Sequence, residues 1–241
     1  AFRSADAQRW YTYTPAYRSI VTGAKIALTH RRSSRSSWTI SLSSERSNSL
    51  VEDWVLEDPT FLDDLIALGF DPTTKRQEGT LSAAGFDWQV STADNLLNAT
   101  RGYQLAFHVE EAGRLLPGTF NHYSVSGDAR HYLPVHKDVV IANRVQFGNI
   151  SAAGNDPTQV PFSRKYFLGG ATSLRGWGRF EVSPLAGEGF PIGGNTLLAL
   201  STEVRAHLKG NFGGVLFVDA GNVWATDGGA VATDQQSVSL K

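Results

Sequence analysis

The chain has 241 residues with 22 basic and 23 acidic side chains, and its net charge of −1 supplies no global field for nucleic acid or anionic lipid. It contains no cysteine, which excludes a disulfide framework and thiolate chemistry, and no methionine even at position 1, so a processed chain or a fragment is expected. No apolar run is long enough for a spanning helix, but a membrane barrel stays open, because its strands need only about 9–11 alternating residues.

Hydrophobic residues make up 41% of the chain and aromatic residues 11%, with 24 glycines and many Ser and Thr, a balance that favours an all-β fold. Trp10, Tyr11 and Tyr13 are the first cluster of rings. The basic stretch THRRSSRSS (29–37) reads as a turn facing water or lipid headgroups. Residues 38–45 alternate, with Trp38, Ile40 and Leu42 on one face and Thr39, Ser41, Ser43 and Glu45 on the other. A long loop, 46–79, follows. Within it, Asp58 as N-cap, Pro59 at the first helical position and Gly69 as a stop bound a short helix. Phe61, Leu62, Leu65, Ile66 and Leu68 form its apolar face, which is expected to pack on the loop or the barrel mouth.

Residues 82–90 alternate again, placing Ala84, Phe86, Trp88 and Val90 opposite Asp87 and Gln89. After the turn at 91–102, residues 103–110 repeat the pattern, and so does 138–148, where Asn143 interrupts an apolar face of Val139, Ile141, Val145 and Phe147. Segment 196–208 sets Leu198, Leu200, Thr202, Val204, Ala206 and Leu208 against Ser201, Glu203, Arg205 and His207. Segment 212–224 sets Leu216, Val218 and Ala220 against Asp219. Short connections (31–37, 91–102, 133–138, 208–213) alternate with long ones (46–79, 111–121, 149–195, 225–236). Rings at segment ends, including Trp38, Trp88, Tyr103, Tyr123 and Trp224, fit aromatic girdles around a lipid-facing band and a polar lumen. Alternation alone leaves a membrane barrel and a large soluble β-protein equally open.

No hydrolase, metalloprotease or phosphate-loop motif occurs, and no catalytic residue or metal site is assigned. The six histidines are scattered; His131 and His136 flank Pro134 in what reads as a turn, with poor ligand spacing. The acidic pairs Asp63–Asp64 and Glu110–Glu111 read as solvated surface.

The stretch YFLGGATSLRGWGRF (166–180) has neither helix nor strand periodicity. Glu203 and Asp219 lie on the polar faces of two adjacent strands, so an arginine on a folded-in loop, Arg175, could bridge both. Gly169, Gly170, Gly176 and Gly178 would let the backbone turn tightly, and Trp177 would anchor it. A solvent-exposed loop, with the carboxylates paired elsewhere, is the alternative these residues leave open.

FLGGATSLRGWGRFEVSP resembles the GG-x3-[VIL]-R-G-[FYW] signature loop of the BamA/TamA outer-membrane assembly superfamily. DNLLNATRGYQLAFHVE, VPFSRKYFLGG, GGNTLLALSTEVR and GGVLFVDAGNVW are similar to its other segments, in the same order, over about residues 80–225. Leu174 and Trp177 are mild departures at variable signature positions, and Asn98-Ala99-Thr100 stands where the family has Pro-Thr.

The resemblance implies an all-β, antiparallel transmembrane β-barrel in the bacterial outer membrane, with 16 strands in the family, about 8–9 of them in this chain, and long extracellular loops. Residues 1–241 are expected to be one partial barrel domain, with a helix-bearing loop at 46–79, a signature lumen loop at 149–195 and no POTRA domain. The signature loop would comprise Gly169, Gly170, Leu174, Arg175, Gly176 and Trp177, with Glu203 and Asp219 as the acidic partners of Arg175 in the lumen. The implied function is non-enzymatic assembly, insertion or translocation of client proteins by strand pairing, without cofactor or nucleic acid. The implied partners are outer-membrane lipids, client β-barrel or secreted proteins, and periplasmic or lipoprotein accessory subunits. A two-partner secretion pore with one dedicated client, or a surface-antigen barrel without insertase activity, are the alternatives.

Overall fold

The structure is a computed structural model that describes residues 2–9, 15–52, 59–186, 189–210, 212–225 and 239–240. Its strands are β1 (Phe2–Arg9), β2 (Pro15–Ser33), β3 (Ser36–Val51), β4 (Arg76–Ser91), β5 (Gly102–Ala112), β6 (His122–His136), β7 (Val139–Ala152), β8 (Leu185–Ala186), β9 (Phe190–Pro191), β10 (Thr196–Lys209), β11 (Phe212–Trp224) and β12 (Ser239–Leu240). One helix, α1 (Pro59–Ala67), lies between β3 and β4. Ten strands form one antiparallel meander in the order β1 to β7, β10, β11, β12, and β8 pairs with β9 alone. The eight strands from β2 to β7 together with β10 and β11 are long, and the two edge strands are short.

The side-chain faces decide between the two architectures that alternation leaves open. Trp38, Trp88, Phe107, Gly127, Phe147 and Leu198 stand opposite one another across six consecutive strands of the sheet. Ile26, Leu28, Ile40, Leu42, Phe86, Leu200 and Val204 share that face and are all exposed. The opposite face carries Ser37, Ser41, Glu45, Ser47 and Ser49 on β3, all buried, and Asp219 on β11, fully buried. A soluble sandwich buries its apolar face. Here the polar face is covered along β3 and at Asp219 and the apolar face lies outward, the arrangement that lipid requires of a barrel wall.

The strands run past the boundaries expected from hydrophobic alternation. The turn in 31–37 narrows to Ser34–Arg35, that in 133–138 to Lys137–Asp138, and the loop 46–79 gives up its ends to β3 and β4. Polar strand ends such as Ser47–Leu50, paired with Arg76–Gly79, keep the hydrogen-bonded ladder without any apolar signal. β2 and β6 show no clear apolar alternation for the same reason, although the connections 111–121 and 133–138 already bounded β6. β6 contains Gly127, Asp128 and Pro134, yet pairs continuously with β5 and bulges only between Pro134 and His136. His131 and His136 are therefore strand residues, not turn residues.

Helix α1 begins at Pro59 and ends before Gly69, whose φ of 88° supplies the left-handed stop. The expected N-cap, Asp58, lies outside the described residues, as do Trp10, Tyr11, Tyr13 and residues 226–236. Phe61, Leu65 and Leu68 are buried against Tyr17, Val51, Phe70, Phe162, Ala186 and Ile192, so the helix packs on the long loop over the barrel mouth, while Ile66 stays exposed. This cluster ties the ends of β2 and β3 to the connection between β7 and β10.

Candidate functional site

The 153–195 connection enters the polar interior. Its lead-in is three single turns, Ala153–Asn155, Pro157–Gln159 and Phe162–Arg164. In the second, the Asp156 carboxylate accepts bonds from the Thr158 amide and hydroxyl, which hold its pKa below the ordinary carboxylate value. Tyr166 then exchanges backbone hydrogen bonds with Gly194, and Leu168 with Val182, so the loop is a closed excursion with its own short ladder. Gly148 on β7 makes room for this entry, because a Cβ there would lie 2.6 Å from the Tyr166 ring.

The signature turn is tight. Gly169 has φ 109°, and a Cβ on it would lie 2.1 Å from the Gly178 carbonyl, so no other residue fits without moving the backbone. Its amide donates to the Ser173 hydroxyl at 3.0 Å, and that hydroxyl donates back to the Gly169 carbonyl at 2.8 Å. Gly170 and Trp177 close the turn through a 3.0 Å amide-to-carbonyl bond. Leu174, fully buried, packs with Leu168, Val182, Ala199 and Val223, and Trp177 lies against the same cluster. The loop is thus held by an apolar foot on β10 and β11 before any charge is counted.

Arg175 lies beside this foot. Its backbone amide donates to Asp219 Oδ2 at 3.0 Å, Nε to the same oxygen at 2.7 Å and Nη2 to Oδ1 at 2.7 Å. Nη1 donates to Glu203 Oε1 at 2.6 Å and Nη2 to the Ser201 hydroxyl at 3.0 Å. The guanidinium also stacks on Phe217, 3.6 Å from the ring centroid. Ser201 faces Asp219 across the β10–β11 pair and Glu203 faces Phe217, so the ladder register alone brings these four side chains beneath one arginine. The planar fork matches a carboxylate bidentately, which lysine cannot do. Glu203 is shared, since Arg205 Nε donates to its Oε2 at 2.7 Å.

The structure therefore brings together Arg175, Glu203 and Asp219, with Gly169, Gly170, Leu174, Gly176 and Trp177 forming the turn that presents the arginine. Sequence reasoning missed several members. Arg144 on β7 donates to the Thr172 carbonyl at 3.1 Å, gripping the loop tip from a third strand, and is itself oriented by Asp128. Ser201 and Phe217 complete the pocket of Arg175. The polar parity of Arg144 was the one available signal, and parity does not say which rung a loop will reach. Glu110, expected on a solvated surface, instead faces the interior 3.5 Å from both Arg164 Nε and the buried His122 Nε2. A strand-end carboxylate is solvated only when nothing folds over it, and here the loop does.

Chemically, the arrangement can position one element against another. It cross-links a loop to a wall through charges that are largely withdrawn from water. The other conspicuous turn, 92–101, is organised by Asp94, whose Oδ1 accepts the amides of Asn95, Thr100 and Arg101 and whose Oδ2 accepts the Thr100 hydroxyl.

A family model described as the Omp85 superfamily domain matches residues 4–239. Among solved structures, the crystal structure of BamA from Haemophilus ducreyi lacking POTRA domains 1-3 is similar with a TM-score of 0.77 at 20% identity. The match covers 93% of this chain and 47% of that one, so the chain spans about half the length of the BamA structure it resembles. At that identity the likeness concerns the fold. The near-complete family match, with the outward apolar face and the fold shared with BamA beside it, leads to one assignment: the chain belongs to the Omp85 superfamily.

Proposed function

We propose that residues 1–241 form part of the barrel domain of a factor that inserts, folds or translocates client β-barrel proteins at the outer membrane. Clients would add strands to an opened barrel edge, by backbone hydrogen bonding and without a nucleotide. Outer-membrane lipids surround the domain, and periplasmic or lipoprotein subunits assist it. The signature loop is a lumen brace in this reading, with Arg175 fixing barrel shape and taking no part in bond chemistry.

The observation that carries the reading is the docking of Arg175 onto both Glu203 and Asp219 from a loop folded into the interior. A pore built for passive diffusion gains nothing from a braced obstruction, whereas a barrel that must open and reseal needs its curvature fixed. The test is Arg175→Ala in the full-length protein. Heat-modifiable mobility of the barrel and the steady-state level of other outer-membrane β-barrels are expected to fall together. Normal values for both would overturn the proposal. Loss of one secreted client with other outer-membrane proteins intact would assign the chain to a dedicated secretion pore instead.

A further inference from the structure

The loop has a second attachment, on a different part of the wall from Arg175. The turn Phe162–Arg164 lies over β3 and β5, which are separated from β10 and β11 by β6 and β7. Arg164 Nη2 donates to Glu45 Oε1 at 2.5 Å, and its Nε lies 3.5 Å from Glu110 Oε1. The Glu45 side chain is 4% exposed and that of Glu110 12%, while His122, beside Glu110, is fully buried. Next to the arginine, the Ser163 hydroxyl is 3.0 Å from that of Ser47 on β3. Gln77 on β4 accepts the Phe162 amide at 2.6 Å and donates to the carbonyls of Val160 and Leu68. Phe162 fills the core between Tyr17 and Phe70.

Two carboxylates withdrawn from water face this guanidinium, and such groups are costly to leave without their cation. Their geometry is independent of the signature turn: Arg164 touches neither Glu203 nor Asp219, and no glycine of the signature contributes. Arg175, Arg144 and the apolar foot of Leu174 all hold the loop on the β7, β10 and β11 side, and leave its β3–β5 side to other contacts. Fixed at both ends, the loop holds β3–β5 and β10–β11 at a set separation.

We propose that Arg164 is a second positioning residue, which seals the β3–β5 side of the lumen as Arg175 holds the β10–β11 side. The loop is then a strut across the interior with two ionic feet. This inference rests on the reading of the loop as a lumen brace and extends it from the β7–β11 side to the β3–β5 side.

The chain has no cysteine, so single thiols report local access without background from it. Ser47 is 1% exposed beneath the Arg164 foot, and Ser201 lies beneath Arg175. The test places S47C or S201C in the full-length protein, in an otherwise cysteine-free background, and follows labelling by a membrane-impermeant hydrophilic maleimide. Arg164→Met is expected to speed labelling of S47C several-fold and to leave S201C at its parental rate. If Arg164→Met fails to assemble, Glu45→Leu removes the acceptor of the same contact at similar volume and carries the same expectation. Unchanged protection of S47C would overturn the proposal, and so would equal acceleration at both sites, which reports general loosening. The labelling needs no client, so the assembly reading stands or falls separately on the Arg175→Ala assay.

Discussion

Asp219 accepts three hydrogen bonds from one residue, Arg175, and one of them comes from the backbone amide. The carboxylate therefore fixes the path of the loop as well as the direction of the guanidinium. Glu203 makes a single bond to Arg175 and divides its charge with Arg205. The two carboxylates are consequently unequal supports.

Asp219→Ala is expected to cost about 3–5 kcal/mol of loop docking, the range for stranding one partner of a buried ion pair. Glu203→Gln keeps an acceptor for Arg175 and is expected to cost only about 1 kcal/mol. The midpoint temperature of the heat-modifiable mobility shift ranks the two. Equal midpoints, or a lower one for Glu203→Gln, would contradict the geometry.

The outward face makes a second prediction. Phe86 stands between Ile40 and Val109 in the apolar band, and 40% of its surface is open to the surroundings. Phe86→Arg is expected to destabilise the barrel by roughly 2–4 kcal/mol, as charges on a lipid face do near mid-membrane. Gln89→Arg, on the lumen face three residues away, should be mild by comparison. Folding yield into lipid vesicles measures both, and a soluble arrangement would reverse their order.

The Asp94 turn predicts a pH dependence with a definite sign. The Thr100 hydroxyl and amide, with the amides of Arg101 and Asn95, bond its ionised form and hold its pKa well below the ordinary carboxylate value. A depressed carboxylate contributes order that is fully present above the unfolded-state pKa and is lost as pH falls through the folded one. The turn is therefore expected to be insensitive between pH 5 and 8 and to loosen only in strong acid, while Asp94→Ala loosens it at every pH. Hydrogen exchange at the Thr100 and Arg101 amides follows both. Loosening that starts near neutrality would refute the assignment of the amide protection to Asp94.

Much of the fold was legible because period-2 alternation is a local property. Trp38, Ile40 and Leu42 share a face in any strand, and so do Glu203 and Arg205. The segments whose local chemistry is ambiguous gave no alternation to read. β2 mixes Ala, Thr, Gly and Lys, and β6 carries Pro134 within its ladder. The polar ends of β3 and β4 pair for want of competing structure, not because of any hydrophobic preference. For the site, the signature residues and the parity of Glu203 and Asp219 could be read directly. Arg144, Arg164, Gln77 and His122 could not, because each is placed by a contact between residues far apart in sequence.

The sequence by itself determined that the chain alternates, that one face is apolar and the other polar, and that a glycine-rich turn presents an arginine. These follow from backbone geometry and residue type, which act over a few neighbours. Only the tertiary structure decided that the polar face is the covered one, and that the loop meets the wall at two places. Those outcomes depend on which strand lies beside which and on the register between them. Charges as distant in the chain as Glu45 and Arg164 become partners only after the sheet has curled and the loop has folded into it.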